Sequence, residues 1–502
     1  MSYLLGIDVG TSSVKAAIVV AESARVVAAA GREVAIHTPR PGWAEQDPTD
    51  WFEAAVGAAR EAIAAAGTGG HAVHGVGFSG QMHGTVCLDA AGRQVRPAII
   101  WADTRSGPQA TALLADLDPA DLAEHAPGPP VAGFMGPTLR WLREHEPETT
   151  ARTATVLLPK DYVRMRFTGE ATTEVSDAAS TWLLDIARGE WSGWLAERCT
   201  VEPGWLPPVL GSAEAAGGLR AEVAAALGVR PGIPIAAGCA DQPAQALGHG
   251  LLDPGTDSVT IGTGGQVFHP LAAPHVDPGL RMHTFNHAVP GRWYALAAIL
   301  SAGLSLRWLR DLLGMKGLAD AYARLSALAE GVPPGAEGLI FLPYLAGERT
   351  PHMDPSASGV FLGLRLHHGP AHLARAVMEG VTMALAECLA LASGMGDGEV
   401  RQVVASGGAT NSAVWRQIQA NVYGVPLAIS AGEEHASLGA ALLGGVAAGV
   451  YESVEAACAR LPRPTDRVEP DPAAVAFYAA HREQFRALYG KLREDMHELI
   501  HR

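Results

Sequence analysis

The 502-residue chain is poor in the features that mark several protein classes. Its five cysteines stand apart, at 87, 199, 239, 388 and 458, with no CxxC pair. That spacing excludes a disulfide framework and a structural zinc, and a reducing cytoplasm is the expected compartment. Basic residues are outnumbered: 37 Lys and Arg against 52 Asp and Glu leave a formal charge of −15. No basic run stands out, so neither nucleic acid nor an anionic membrane is expected as a main partner. Apolar runs are broken by Gly, polar or charged residues before they reach the length of a membrane span. Met1 leads straight into a strand-like run, which leaves no room for a signal peptide. A GxxxxGK[ST] phosphate loop is missing, as are HExxH and other metal-ligand clusters.

What the chain does have begins at its start. An apolar run, Leu4–Asp8, ends in an acid, turns through Gly10-Thr11-Ser12-Ser13, and returns as Val14–Val20. Such a turn is either a plain β-hairpin or a cradle of hydroxyls and backbone N–H groups for a phosphate tail, with Asp8 placed to hold a magnesium ion. The same plan recurs at Ser258–Phe268 around Gly262-Thr263-Gly264-Gly265. One copy in each half makes two clamps on one polyphosphate the better reading of the pair. The chain is also too long for one ordinary core. We place the boundary near 245–255, giving halves 1–247 and 248–502 that each alternate strands and helices around a shared cleft.

Among the predicted elements are helices at 47–65, 218–227, 372–395 and 437–448, strands at 73–78, 85–88 and 233–237, and one or two charged helices from Pro472. A third glycine cluster, Gly407-Gly408-Ala409-Thr410-Asn411, follows a strand and precedes a helix. It serves either close packing or a nucleotide at a helix N-terminus. Asp241 follows a strand and precedes Pro243, where a helix N-cap is the simpler role and a rigidly held functional carboxylate is compatible with it. Gln81, Met82 and His83, with Trp101, Asp103 and Arg105, offer planar hydrogen-bonding groups and apolar faces of the kind that read sugars, or equally structural contacts. Gly75-Val76-Gly77-Phe78-Ser79-Gly80 spells GxGxxG, the basis of a nicotinamide-enzyme alternative. A dinucleotide fingerprint must open a helix, however, and Gln81–Leu88 reads as extended.

Taken together and in order, Asp8-Val9-Gly10-Thr11-Ser12, Gly80-Gln81-Met82-His83-Gly84, Trp101-Ala102-Asp103-Thr104-Arg105, Asp241, Gly262-Thr263-Gly264 and Gly407-Gly408-Ala409 resemble the FGGY family of carbohydrate kinases. Leu158-Pro159-Lys160-Asp161-Tyr162 and Leu342–His352 resemble the branch that acts on xylulose. The resemblance implies a two-domain α/β fold of the actin/hexokinase (ribonuclease H-like) type with ATP and Mg²⁺ in an interdomain cleft. It implies Asp241 as the general base, Asp8 as the acid that organises the metal, and Met82, His83, Gln81, Trp101, Asp103 and Gln242 around the sugar. Gly10, Thr11, Ser12, Ser13, Lys15, Gly262, Thr263, Gly264, Gly303, Gly407, Gly408 and Asn411 resemble the nucleotide contacts. The implied partners are a small sugar and ATP, and a homodimer is compatible with the resemblance. Two departures stand out: Thr138 where the family usually has Lys, and Gln242 where Asn is common. The second bears on which ketose or polyol fits. A sensor without catalysis on the same fold would lack the base that Asp241 supplies.

Overall fold

Two seven-stranded sheets organise the molecule. The computed structural model describes residues 2–500 except 68–69, 397, 431, 433 and 463–465; Met1 lies outside the described residues. In the first sheet, Tyr3–Val9 pairs antiparallel with Ser13–Val20, which pairs antiparallel with Arg25–Glu33. On its other side Tyr3–Val9 runs parallel to Val73–Gly80, which is followed by Pro234–Ala236 and Ala215–Gly218. The second sheet repeats this arrangement. Thr256–Ile261 pairs antiparallel with Gly265–Leu271, which pairs antiparallel with Trp293–Ile299. Its parallel neighbour is Gln402–Gly407, followed by Leu427–Ile429. The duplication suggested by the two turns is thus carried through the strand order of both sheets.

Local chemistry accounts for the elements. The central strand of the first sheet, Tyr3–Val9, reads as an almost unbroken apolar run because both its faces are covered, whereas its counterpart Thr256–Ile261 carries Asp257, Ser258 and Thr260, with Asp257 satisfied by the buried His269 ring at 2.9 Å. The helix Pro48–Ala66 starts where the Asp47 carboxylate accepts the Thr49 N–H at 2.8 Å, with Pro48 in the first turn. Its buried residues recur at 51, 54–55, 58–59 and 62–63, one face of a helix laid against the first sheet. It ends at Gly67 in the left-handed conformation.

The other face of the first sheet is covered from far away in sequence, by the helix His435–Ala447. A side chain at Gly77 would overlap the Ala440 carbonyl oxygen, and one at Gly75 would overlap that of Gly444. The GxGxxG glycines therefore serve a close helix-on-sheet contact. Val73–Gly80 stays a strand to its last residue and opens no helix, which removes the dinucleotide alternative.

Two expectations need correction, and the one or two helices expected from Pro472 prove to be one. Gly218 ends a strand, Ala215–Gly218, so the helix there is the shorter Ala221–Leu227. The chain from Pro472 forms one helix to Ile500. Among the described residues one helix, Pro370–Ser393, is long and apolar enough to cross a membrane by those criteria alone. Most of its residues are buried in the core of the second half, where Arg375 and Glu379 pair with each other and with Tyr478.

Candidate active site

Strand ends and turns from both sheets meet in a cleft. At the end of Tyr3–Val9, the Asp8 carboxylate accepts the Ser79 hydroxyl at 2.8 Å from the neighbouring parallel strand. Burial raises its pKa above the usual carboxylate value, and the Ser79 hydrogen bond and the Lys15 charge oppose that rise. Asp8, Gly10, Thr11, Ser12, Ser13 and Lys15 line one wall of a cavity of about 670 Å³. Thr260, Ser406, Gly407, Gly408 and Asn411 of the second half line the other. Lys15 pairs there with Glu434 at 3.1 Å, a contact between residues 419 positions apart.

A second cavity of about 710 Å³ adjoins the first. Gly262, Thr263 and Gly303 line it together with apolar and aromatic residues, among them Leu306, Tyr322, Ala409 and Trp415. Gly408 and Asn411 line both cavities, so the two are continuous. No atom stands within 4 Å of where a Gly408 side chain would begin, so that glycine keeps space open. Gly264 lines neither cavity; its carbonyl accepts the Gly262 N–H at 3.0 Å and closes the turn. The first cavity is polar, lined by hydroxyls and backbone N–H groups, whereas the second is apolar with aromatic walls. That combination suits a phosphate chain joined to a nucleoside.

Asp241 is the first residue of the helix Asp241–His249, and Ala240 occupies the cap position. Asp241 therefore does not act as the N-cap. One of its oxygens, Oδ1, is buried without a hydrogen-bond partner. Its carboxyl is pushed up to about 7 by burial and then by the nearby Asp8 charge, while the amides of Gln242 oppose the shift. One turn further along the same helix, Gln245 lines the phosphate-sized cavity. An enclosed carboxyl poised near neutrality next to an anion site is the arrangement a general base requires.

The expected sugar residues separate into two groups. Met82 is buried, and His83 is held with a positive φ of 70° while its ring stacks on Phe134 at 3.8 Å. His83 Nδ1 lies 2.6 Å from the Ser180 carbonyl, which can only accept, so Nδ1 carries the proton. Burial drives the ring down to about 3, leaving a neutral imidazole whose Nε2 is an acceptor. His83, Phe134, Phe285, Ala298, Glu348 and Arg349 line a further cavity of about 300 Å³ between the halves. In it, Glu348 Oε2 is buried without a hydrogen bond and the Arg349 guanidinium makes no ion pair among the described residues.

Gln81 and Asp103 have their polar atoms committed elsewhere. Gln81 donates to Gln46 and accepts from Thr11, and Gln46 in turn donates to the Thr11 carbonyl. Both oxygens of Asp103 are filled by Arg105 and the Ala44 N–H. These bonds tie Gln81 to the first turn and Asp103 to Arg105 and Ala44, and neither residue lines the three cavities described above. Trp101, 41% exposed, donates its indole N–H to the Thr11 hydroxyl at 2.8 Å. Thr138 is buried beside Ser106, away from both cavities. Ser79, Gln46, Gln245, Glu434 and Arg349 were not singled out from the sequence. Arg349 sits in the Leu342–His352 block, so a signal existed for it.

Among the described residues no group of three or more His, Cys, Asp or Glu could by itself hold a metal. Asp8, with one oxygen free of Ser79, fits a magnesium ion that takes one carboxylate and completes its shell with phosphate oxygens and water.

Comparison with known proteins agrees with this geometry. Residues 3–248 match the N-terminal domain model of the FGGY family of carbohydrate kinases, and residues 258–448 match its C-terminal domain model. The chain is 38% identical over 492 residues to a xylulose kinase of Escherichia coli (strain K12), covering 97% of this chain and 99% of that protein. It is 29% identical over 475 residues to a gluconokinase of Bacillus subtilis (strain 168), covering 91% and 89%. The crystal structure of a xylulose kinase from Rhodospirillum rubrum superposes with a TM-score of 0.91 at 32% identity, covering 99% of this chain and all of that one.

Proposed function

Because the chain belongs to the FGGY family of carbohydrate kinases, phosphorylating a sugar with ATP across its two-domain cleft, we propose that the sugar is D-xylulose and the product D-xylulose 5-phosphate. The observation that carries the mechanism is the buried Asp241 carboxyl, poised near pH 7 beside the cavity that both halves line. The identity of the sugar is supported by the similar xylulose kinases, which match this chain nearly end to end.

In this reading the adenosine lies in the aromatic-walled cavity and the phosphates run past Gly408 and Asn411 towards the Gly10–Ser13 turn. Lys15 and the turn's N–H groups meet the terminal phosphate. Mg²⁺ held at Asp8 would supply positive charge against the phosphate oxygens. His83 Nε2 accepts a hydrogen bond from a sugar hydroxyl and Met82 packs on the carbon chain. The far end of the acceptor reaches the cavity with Arg349, the natural donor to its carbonyl and hydroxyl oxygens, and Glu348, whose Oε2 accepts a hydroxyl hydrogen. Asp241 receives the proton of the terminal hydroxyl as that oxygen bonds to the γ-phosphorus and the bond to the β–γ bridging oxygen breaks, releasing ADP. Removing water by closing the halves limits ATP hydrolysis.

The test is ADP release over a panel of ketoses, polyols and D-gluconate, the last because a gluconokinase is among the relatives. D-xylulose is expected to give the highest kcat/KM. A higher value for ribulose, a polyol or gluconate assigns the same chemistry to a different acceptor. Asp241→Ala is expected to lose roughly 100-fold or more in turnover while still binding ATP.

A further inference from the structure

Below the cleft floor five charged side chains lie wholly out of solvent: Lys160, Asp161, Arg164, Glu174 and Asp177. Lys160 Nζ donates to Asp161 at 2.8 Å and Glu174 at 3.3 Å and stands 3.5 Å from Asp177. Arg164 pairs with Asp161 at 3.0 Å, so Lys160 is the one cation of this cluster that reaches Glu174 and Asp177. Buried ions at this density persist only when each is compensated.

The cluster is tied to both sides of the chemistry. The Arg164 guanidinium donates to the Ala237 carbonyl, and Lys160 reaches the same oxygen at 3.5 Å. The Ala240 N–H, immediately before Asp241, donates to Ser176 Oγ at 3.1 Å, and Ser176 passes its own hydrogen to Glu174 at 3.0 Å. Glu174 also accepts the N–H groups of Ser176 and Asp177 and the Ser212 hydroxyl. On the other side, Ser180 accepts His83 Nδ1–H at its carbonyl and the His83 backbone N–H at its hydroxyl. That hydroxyl donates to the Asp177 carbonyl at 2.7 Å. One short segment, 174–180, therefore connects the cluster to the strand end carrying Asp241 and to the His83 ring.

We propose that Lys160 is a positioning residue for phosphoryl transfer, fixing Asp241 through Glu174, Ser176 and the Ala240 N–H, and His83 through the 177–180 turn. The inference rests on Asp241 as the base and His83 as a sugar contact. Lys160 does not touch a substrate, and it acts through geometry, because misplacing a base or acceptor by a fraction of a bond length lowers the rate without weakening nucleotide binding. The nucleotide cavities share no lining residue with the cluster.

The test compares Ser176→Ala, Lys160→Met, Lys160→Met with Asp177→Asn, and Asp241→Ala, reading kcat, the KM of ATP and of sugar, and thermal midpoint. Ser176→Ala cuts only the relay and is expected to lower kcat about tenfold with the KM of ATP and the melting midpoint unchanged. Lys160→Met is expected to lower kcat about 100-fold or more. Adding Asp177→Asn is expected to recover at least about tenfold of that, because it takes from the cluster an acid that the lost ammonium had faced at 3.5 Å. Wild-type kcat in Ser176→Ala overturns the proposal, as does a Lys160→Met defect shared equally by kcat and ATP affinity. If Lys160→Met does not fold, Ser176→Ala decides. Retained turnover in Asp241→Ala would defeat the base assignment itself, a result separate from these.

Discussion

Neutralising the base should make the ligand-free protein more stable while removing its activity. A carboxyl moved from its ordinary 3.8 to about 7 opposes folding whenever it is ionised. Over that interval the ionised form costs about 4 kcal/mol. Asp241 is half-buried as a residue although its Oδ1 is out of solvent, so water screens part of the cost, leaving on the order of 2 kcal/mol. The sign follows from linkage: with the folded pKa above the unfolded one, the penalty is complete above pH 7, shrinks as pH falls, and is gone below about 3.8. Asp241→Asn keeps the shape and removes the charge. At pH 8 its thermal midpoint, measured by calorimetry without ligands, should exceed that of the wild type by about 2 °C, the shift that about 2 kcal/mol makes in a chain of this length. At pH 5 the gain should be less than half as large. Turnover should fall at least about 100-fold at every pH. A midpoint that is unchanged, or raised equally at both pH values, would refute the assignment of Asp241 as a buried, destabilised base.

Asp8→Ala should weaken binding of magnesium-ATP by about tenfold or more in titration calorimetry and spare binding of ATP without metal, because the carboxylate is the metal's protein ligand in this account. Unchanged affinity in the presence of metal would remove Asp8 from that role. Gly77→Ala should destabilise the fold by about 3 kcal/mol, since the added methyl meets the Ala440 carbonyl, and a variant that melts like the wild type would contradict the close packing. Arg349→Gln should raise the sugar KM about tenfold with the KM of ATP unchanged, and equal KM values for wild type and variant would take Arg349 out of the acceptor pocket.

The parts of the fold carried by local sequence could be read directly. Both strand–turn–strand units announce themselves within twenty residues, and the helix at Pro48 is marked at each end by Asp47 and Gly67. Contacts formed across the chain could not be read this way. Gly75 and Gly77 spell a dinucleotide fingerprint because they need to be glycine for another reason, a helix more than 350 residues away. That Asp103 is engaged by Arg105 and the Ala44 N–H, the latter 59 positions away, is likewise visible only in the folded chain. The spacing before Pro243 favours an N-cap at Asp241, whereas the helix starts one residue earlier and leaves that carboxyl without a capping bond. Lys160 and Asp161 stand in a motif that carries the resemblance, but only folding brings Glu174 and Asp177 to Lys160.

The most direct measurement is a crystal structure with D-xylulose and a non-hydrolysable ATP analogue. Adenine is expected between Tyr322 and Trp415, the terminal phosphate at the Gly10–Ser13 turn, and the reacting hydroxyl within hydrogen-bond distance of Asp241. A nucleotide that sits outside the two adjoining cavities, or a sugar whose terminal hydroxyl lies away from Asp241, would contradict the account.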